Sequence, residues 1–362
     1  MEQFEELPLD DRLRKALAHL GWQHTTPVQS KAIPLAIRGK DVLARARTGS
    51  GKTGAYALPI LQKIISNEHL ESSKTAIKRK GPFAVVFVPT RELVEQVRQV
   101  FVSLTHFTTF ISVAALTADQ AVSTQKALLA ERPHILIATP ARLQQHLSEG
   151  NVRLRESVEV VVFDEADLLF SFGYEQDIQA IAGQLPNVCQ VLLMSATLSD
   201  EVARLRDLVM HNPVVLQLDD DGEASTGQGH LAQFSLRCGE SDKFLISYVL
   251  LKLGILTGKV LFFVNDIDRG YQLKLFFEQF SLKSAVLNAE LPQNSRTDII
   301  QSFNRGVFNY LIATDDSVAQ FSGSNPTAAD DLLDSDDEGA PGLPSAAAVV
   351  AAASSAGSAA GD

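Results

Sequence analysis

From residue 42 to about 315, short apolar runs of strand character alternate with stretches of helical pattern. The runs are Asp41–Ala46, Phe83–Val88, Phe110–Leu116, His134–Ala138, Val158–Phe163, Gln190–Met194 and Val214–Leu218, then Phe234–Cys238, Lys259–Val264, Ser284–Leu287 and Tyr310–Ala313. They are mostly apolar and alternate with helical stretches, so the pattern predicts an α/β protein built of βα units with parallel sheets covered on both faces. The polar, glycine-rich segment from Asp219 to Gly229 breaks the alternation and predicts a linker between two domains. Beyond residue 316 the pattern stops. An acidic block passes into an Ala/Gly/Ser/Pro tract with few large side chains, a composition that predicts a disordered tail.

Composition adds limits. A length of 362 residues with 45% hydrophobic content suits two cores. Cys189 and Cys238 are isolated, so neither a disulfide framework nor a zinc site is indicated, and a reducing compartment fits. No apolar run reaches membrane-spanning length, and the acidic start Met1-Glu2-Gln3-Phe4-Glu5-Glu6 has no signal-peptide core, so a soluble protein that is not secreted is expected. A net charge of −11, taken over the whole chain, disfavours a polyanionic partner. Residues 315–362, however, hold nine acids and no Lys or Arg, leaving 34 acids against 32 bases in the rest. Charge therefore argues neither for nor against nucleic acid.

Chemistry enters at two places that each follow a strand. Ala46-Arg47-Thr48-Gly49-Ser50-Gly51-Lys52-Thr53 reads as a phosphate-binding loop, whose small residues let backbone N–H groups turn onto phosphate oxygens at a helix start. Lys52 would hold the β- and γ-phosphates, and the Thr53 hydroxyl would ligate Mg²⁺. Ala46 stands where the general pattern has glycine. Asp164-Glu165-Ala166-Asp167 leaves another strand, bringing Asp164 to the metal and Glu165 to the attacking water as its base. Either run alone could be an ordinary turn or a solvated helix start; in this order, both after strands, they describe a nucleotide triphosphatase.

With these placed, the chain resembles the DEAD-box ATP-dependent RNA helicases over residues 4 to about 315. Phe4 and Gly21-Trp22-Gln23-His24-Thr25-Thr26-Pro27-Val28-Gln29 resemble the adenine-recognising Q motif. The Gln29 amide would read the adenine edge and Trp22 would offer a stacking face, a contact worth roughly 1–3 kcal/mol. Pro89-Thr90-Arg91-Glu92-Leu93 and Ala138-Thr139-Pro140-Ala141-Arg142 resemble RNA-contacting motifs, with Pro89, Thr90, Arg91, Thr139, Pro140 and Arg142 as candidates for phosphodiester contact. Ala141 departs from the family's usual glycine, and no Gly-Gly pair stands near Ala114-Ala115. Ser195-Ala196-Thr197 resembles the motif that couples hydrolysis to unwinding by bonding toward Asp164–Asp167. In the second domain, Leu261-Phe262-Phe263-Val264-Asn265, Gln293-Asn294-Ser295-Arg296 and Ala313-Thr314-Asp315 resemble further motifs, making Gln293, Arg296 and Thr314 candidate RNA contacts.

The resemblance implies tandem RecA-like P-loop domains: a first over residues 1–220, a linker at 221–230, a partial second over 231–315 and the tail at 316–362. The arginine-rich segments expected after Asp315 are not in the sequence, and the chain reads as ending early within the second domain. The implied activity is RNA unwinding driven by ATP hydrolysis with Mg²⁺, through closure of two domains. The wording of Ala44-Arg45-Ala46-Arg47-Thr48 and Asp167-Leu168-Leu169-Phe170-Ser171-Phe172-Gly173-Tyr174-Glu175 is similar to the nucleolar subgroup of large-subunit ribosome assembly. That implies a nuclear, nucleolar monomer with pre-ribosomal RNA and pre-60S assembly factors as partners and no membrane. Other readings stay open: an inactive ATP- and RNA-binding module, action on DNA, or a transport or signalling ATPase, against which the Q motif and Ser-Ala-Thr element argue.

Overall fold

The computed structural model describes residues 3–71, 81–118, 120–218, 232 and 234–314. The expected linker at 221–230 and the tail at 316–362 lie outside the described residues. The chain divides into two compact units, on either side of residues 227 and 228.

In the first unit, strands β1 (Val42–Arg45), β2 (Ala84–Phe87), β3 (Val113–Leu116), β4 (Ile135–Ala138), β5 (Val160–Phe163), β6 (Gln190–Ser195) and β7 (Val214–Gln217) form one sheet in the order β3-β4-β2-β5-β6-β1-β7. Every pairing is parallel. The helices are α1 (Asp11–His19), α2 (Pro27–Ile37), α3 (Lys52–Glu71), α4 (Arg91–Leu104), α5 (Val122–Ala130), α6 (Pro140–Ser148), α7 (Ala166–Ser171), α8 (Glu175–Ala182) and α9 (Asp200–Val209). The unbroken apolar runs have a direct cause. Alternate strand residues enter two separate cores: Val42, Ala44, Val86, Val160 and Val162 pack on one face, and Leu43, Val85, Phe87, Val161 and Phe163 on the other.

Capping side chains fix several helix starts, as at Asp10, Thr26, Thr90 and Ser199. Thr26 and Gln29 form a reciprocal capping box, with Pro27 in the first turn.

The second unit has strands β8 (Val260–Val264), β9 (Ser284–Leu287) and β10 (Tyr310–Thr314) in the parallel order β8-β10-β9, with helices α10 (Lys243–Lys252), α11 (Ile267–Gln279) and α12 (Gln293–Arg305). Gly270 of α11 faces the sheet, where a Cβ would make ordinary van der Waals contact with Val286 at 3.4 Å and Val264 at 3.5 Å. One expectation fails: Phe234–Cys238 is not a strand. Its apolar side chains have no face to cover, with Phe234 90% exposed and Leu236 66% exposed, and no described strand pairs with it.

Candidate functional site

Because the first sheet is wholly parallel, all its strands deliver their carboxyl ends to one edge. The strand order then sorts the motifs. The phosphate loop leaves β1, Ser195-Ala196-Thr197 closes β6, and Asp164-Glu165 leaves β5, and these three strands are neighbours. Thr90 and Thr139 follow β2 and β4, the adjacent pair further along the same edge.

The loop is pinned at its base, where the Ala46 N–H donates to the Ser195 carbonyl at 3.0 Å. Gly49 and Gly51 have φ of +80° and +89°, a region that glycine alone adopts freely. Ala46 lies outside that region, so alanine fits where the general pattern has glycine. Arg47, Thr48 and Gly49 face solvent, whereas Lys52 is buried at the first position of α3. The Ser50 hydroxyl is buried with no hydrogen-bond partner among the described residues.

Lys52 Nζ donates to the Ala46 carbonyl at 3.2 Å and to Glu165 Oε2 at 2.9 Å, an ion pair with little solvent around it. An incoming phosphate must compete with Glu165 for this ammonium. Glu165 itself sits in the left-handed region at φ 49°, ψ 54°, a conformation costing on the order of 1 kcal/mol for a non-glycine residue. The tight turn from β5 into α7 is thus made at a residue that keeps its carboxylate.

Asp164 is buried, with both carboxylate oxygens engaged. Tyr56 donates its hydroxyl to Oδ2 at 2.8 Å, and the Glu165 N–H donates to Oδ1 at 3.0 Å. Burial pushes the Asp164 carboxyl up to about 6; the Tyr56 bond works against that rise, the Glu165 charge adds to it and the Lys52 charge opposes it. Burial, then the Asp164 charge, pushes the Tyr56 phenol well above its ordinary range. Thr197 Oγ1 donates to Asp167 Oδ2 at 3.1 Å, joining the Ser-Ala-Thr element to the acidic run, while the Ser195 hydroxyl is buried and without a partner among the described residues. A cavity of about 340 Å³ opens between Arg45, Ala46, Arg47 and Ala196, Thr197, Leu198.

The donor set at the metal end is small. Among the described residues no group of three or more His, Cys, Asp or Glu side chains converges. One buried carboxylate at Asp164 and a hydroxyl at Thr53 are hard oxygen donors, and they fit Mg²⁺, which is commonly held by one or two carboxylates with phosphate oxygens and water completing the shell.

The Q-motif residues are placed differently from the simple expectation. Gln29 is buried; its carbonyl accepts from the Thr26 N–H at 3.0 Å and its Nε2 donates to the Gly51 carbonyl at 3.1 Å. One donor and one acceptor function are therefore spent on the loop and the cap, leaving one N–H and one lone pair for a base edge. Trp22 is half-buried. It stacks on buried Phe4 with ring centroids 6.3 Å apart and packs against the first unit's core. Gly51 and Gly54 make room for both residues: a Cβ on Gly51 would meet Gln29 Nε2 at 2.6 Å, and one on Gly54 would meet it at 2.8 Å and Trp22 at 3.1 Å.

Of the RNA candidates in the first unit, Thr90 caps α4 through its bond with the Leu93 N–H, and Pro89 precedes it. Arg91 opens α4, its guanidinium reaching Glu92. Thr139 and Pro140 open α6. Arg142 is held by Gln125 Oε1 at 2.8 Å, Gln145 Oε1 at 2.7 Å and the Gln120 carbonyl at 2.5 Å. Gln125 was not legible as important; fully buried, it also receives His146 Nε2 at 2.8 Å and donates to the Thr117 carbonyl at 2.6 Å. Burial, then the Arg142 charge, lowers the His146 pKa. In the second unit Gln293 opens α12 with Arg296 in its first turn, and Thr314 ends β10.

These features define a P-loop nucleotide-binding α/β protein. Two family models match in tandem, "DEAD/DEAH box helicase" over residues 26–205 and "Helicase conserved C-terminal domain" over residues 243–317. The chain belongs to the DEAD/DEAH box helicase family. It is 49% identical over 315 residues to "Probable ATP-dependent RNA helicase ddx56" of Dictyostelium discoideum, covering 87% of this chain and 45% of that protein. To "ATP-dependent RNA helicase dbp9" of Schizosaccharomyces pombe it is 46% identical over 318 residues, covering 87% and 51%. The chain spans about half the length of the curated relatives it matches. Its fold is similar to a crystal structure of a DEAD box protein from the hyperthermophile Methanococcus jannaschii, with a TM-score of 0.55 at 26% identity over 86% of this chain and 80% of that one. It is also similar in fold to Saccharomyces cerevisiae Dbp5 bound to RNA and ADP BeF3, with a TM-score of 0.71 at 23% identity over 88% and 77%.

Proposed function

We propose that this chain carries the ATP site of an RNA helicase, which couples hydrolysis of ATP to ADP and phosphate to the separation or remodelling of RNA. The observation that carries the reading is the convergence of Lys52, Asp164 and Glu165 at one sheet edge, with Lys52 and Glu165 paired at 2.9 Å. Phosphate at the loop draws Lys52 from Glu165, so nucleotide binding and release of the basic carboxylate are one event. Glu165 then orients and deprotonates water for attack on the γ-phosphorus. Asp164 and Thr53 would hold Mg²⁺, which when bound would neutralise charge on the phosphates. Backbone N–H groups of residues 47–53 line the phosphates, and Gln29 and Trp22 report the base to the loop through Gly51 and Gly54.

RNA lies along the β2 and β4 ends of the edge, where Pro89, Thr90, Arg91, Thr139, Pro140 and Arg142 offer backbone-directed contacts; Gln293, Arg296 and Thr314 are the candidate contacts of the second unit, taken by itself. Such contacts do not themselves separate RNA from DNA. The wording of the motifs favours pre-ribosomal RNA, large-subunit assembly factors as partners and a nucleolar site of action. No described helix is long and apolar enough to cross a membrane.

The test is phosphate release and nucleotide binding by the purified protein with matched RNA and DNA strands as competitors. ATP and ADP binding in preference to GTP, weakened by Lys52→Ala, with RNA the stronger competitor, is the expected result. Equal affinity for GTP and ATP, or no loss on Lys52→Ala, overturns the reading.

A further inference from the structure

Tyr56 lies in α3, four residues beyond Lys52 and three beyond Thr53, and so on the same helix face one turn on. Its ring is fully buried in the first core and meets Phe101 with centroids 6.3 Å apart. Phenylalanine would serve that packing equally well. The hydroxyl is a different matter, because a polar group in an apolar core is unfavourable unless it is bonded. Here it is bonded: it donates to Asp164 Oδ2 at 2.8 Å.

The direction of this bond is forced, because a phenol has one proton and an ionised carboxylate only accepts. On the other side the Glu165 N–H takes Oδ1 of Asp164, so the carboxylate is gripped at both oxygens. We propose that Tyr56 is a positioning residue for the metal end of the site, its phenol and the Glu165 N–H together orienting the Asp164 carboxylate before Mg²⁺ arrives. This rests on the reading above that Thr53 and Asp164 hold the ion.

The phosphate loop touches nucleotide through Lys52 and backbone N–H groups, none of which needs Tyr56. Loss of the phenol hydroxyl should therefore leave metal-free nucleotide binding alone and weaken only the gain that Mg²⁺ adds. The experiment is binding of a fluorescent ADP analogue to the full chain, first in chelator and then across a Mg²⁺ titration, for wild type and Tyr56→Phe, with melting temperatures recorded for both. Expected is chelator affinity within twofold of wild type and a Mg²⁺ midpoint raised about tenfold, the scale of one lost hydrogen bond to a charged group. An unmoved midpoint alongside a lowered melting temperature makes Tyr56 a packing residue and overturns the proposal, as does an equal loss of affinity in chelator.

A second measurement needs no variant. In wild type carrying ¹³Cζ-labelled tyrosine, of which the chain has five, adding Mg²⁺ to the ADP complex should move a tyrosine resonance that ADP in chelator leaves in place; no movement overturns the proposal. Wild-type protein that binds the analogue in neither condition overturns the nucleotide-site reading itself, whereas normal wild-type binding with an unmoved Tyr56→Phe midpoint overturns only the role of Tyr56.

Discussion

Asp164 carries an ionisable group whose fold-imposed shift has a measurable sign. Its carboxyl is held at about 6 by burial, against 3.8 unperturbed. A raised acid binds its proton more tightly in the folded state, so its contribution to stability is full below about pH 4 and is lost as pH rises through about 6. Asp164→Asn keeps the shape, its amide oxygen accepting from the Glu165 N–H and its NH2 donating to the Tyr56 oxygen. In chelator at pH 7.5 that variant should be more stable than wild type by about 1–3 kcal/mol, and the advantage should shrink toward zero at pH 4. Urea denaturation at the two pH values checks this, and a variant less stable than wild type at pH 7.5 contradicts the burial argument. At the adjacent position the prediction concerns rate. Glu165→Gln keeps size and the polar contact with Lys52 while removing basicity, so nucleotide affinity should hold within a few-fold and single-turnover hydrolysis should fall by at least about 10². Hydrolysis at the wild-type rate would remove Glu165 as the base.

At the scale of elements, two glycines at the start of α3 make room for Gln29 and Trp22, through which the proposed base recognition would act. Gly54 is helical, where alanine would ordinarily favour the helix by roughly 1 kcal/mol. Yet a Cβ there would lie 2.8 Å from Gln29 Nε2 and 3.1 Å from Trp22. Gly54→Ala should therefore reduce the preference for ADP over GDP by about tenfold with little loss of thermal stability, as competition binding and melting would record; unchanged preference would show that Gln29 does not act through this contact. The strands, their parallel order and the loop-to-helix turn were legible in the sequence because apolar runs with no polar alternation admit only a doubly covered sheet. What was not legible depends on neighbours distant in sequence. Phe234–Cys238 has the composition of a strand but nothing to pair with. Gln29 looked free for a base, whereas Thr26 and Gly51 each take part of its amide. Tyr56 and Gln125 belong to none of the motifs, and only the fold brings the first to Asp164 and the second to Arg142.

At the scale of the whole molecule, the two units should differ in resilience. The first buries two cores on opposite faces of a seven-stranded sheet, whereas the second centres on seven buried residues, Leu251, Val260, Phe262, Leu273, Phe277, Val286 and Ile312, around three strands. It also exposes large apolar side chains, with Leu253 just after α10 at 69%, Leu275 in α11 at 59% and Phe263 in β8 at 51%. Buried apolar area is the dominant favourable term in folding, so the second unit has less to set against the chain entropy it must lose. Local opening should accordingly begin there, at a free energy well below that of the first unit. Hydrogen exchange on this chain should show amides of β8, β9 and β10 exchanging before those of β1, β5 and β6. Limited proteolysis should leave a stable fragment that contains residues 3–218 and still binds ADP. Equal protection in the two units, or a fragment that loses ADP binding while keeping its fold, would mean that the nucleotide site depends on more than the first unit's own sheet edge.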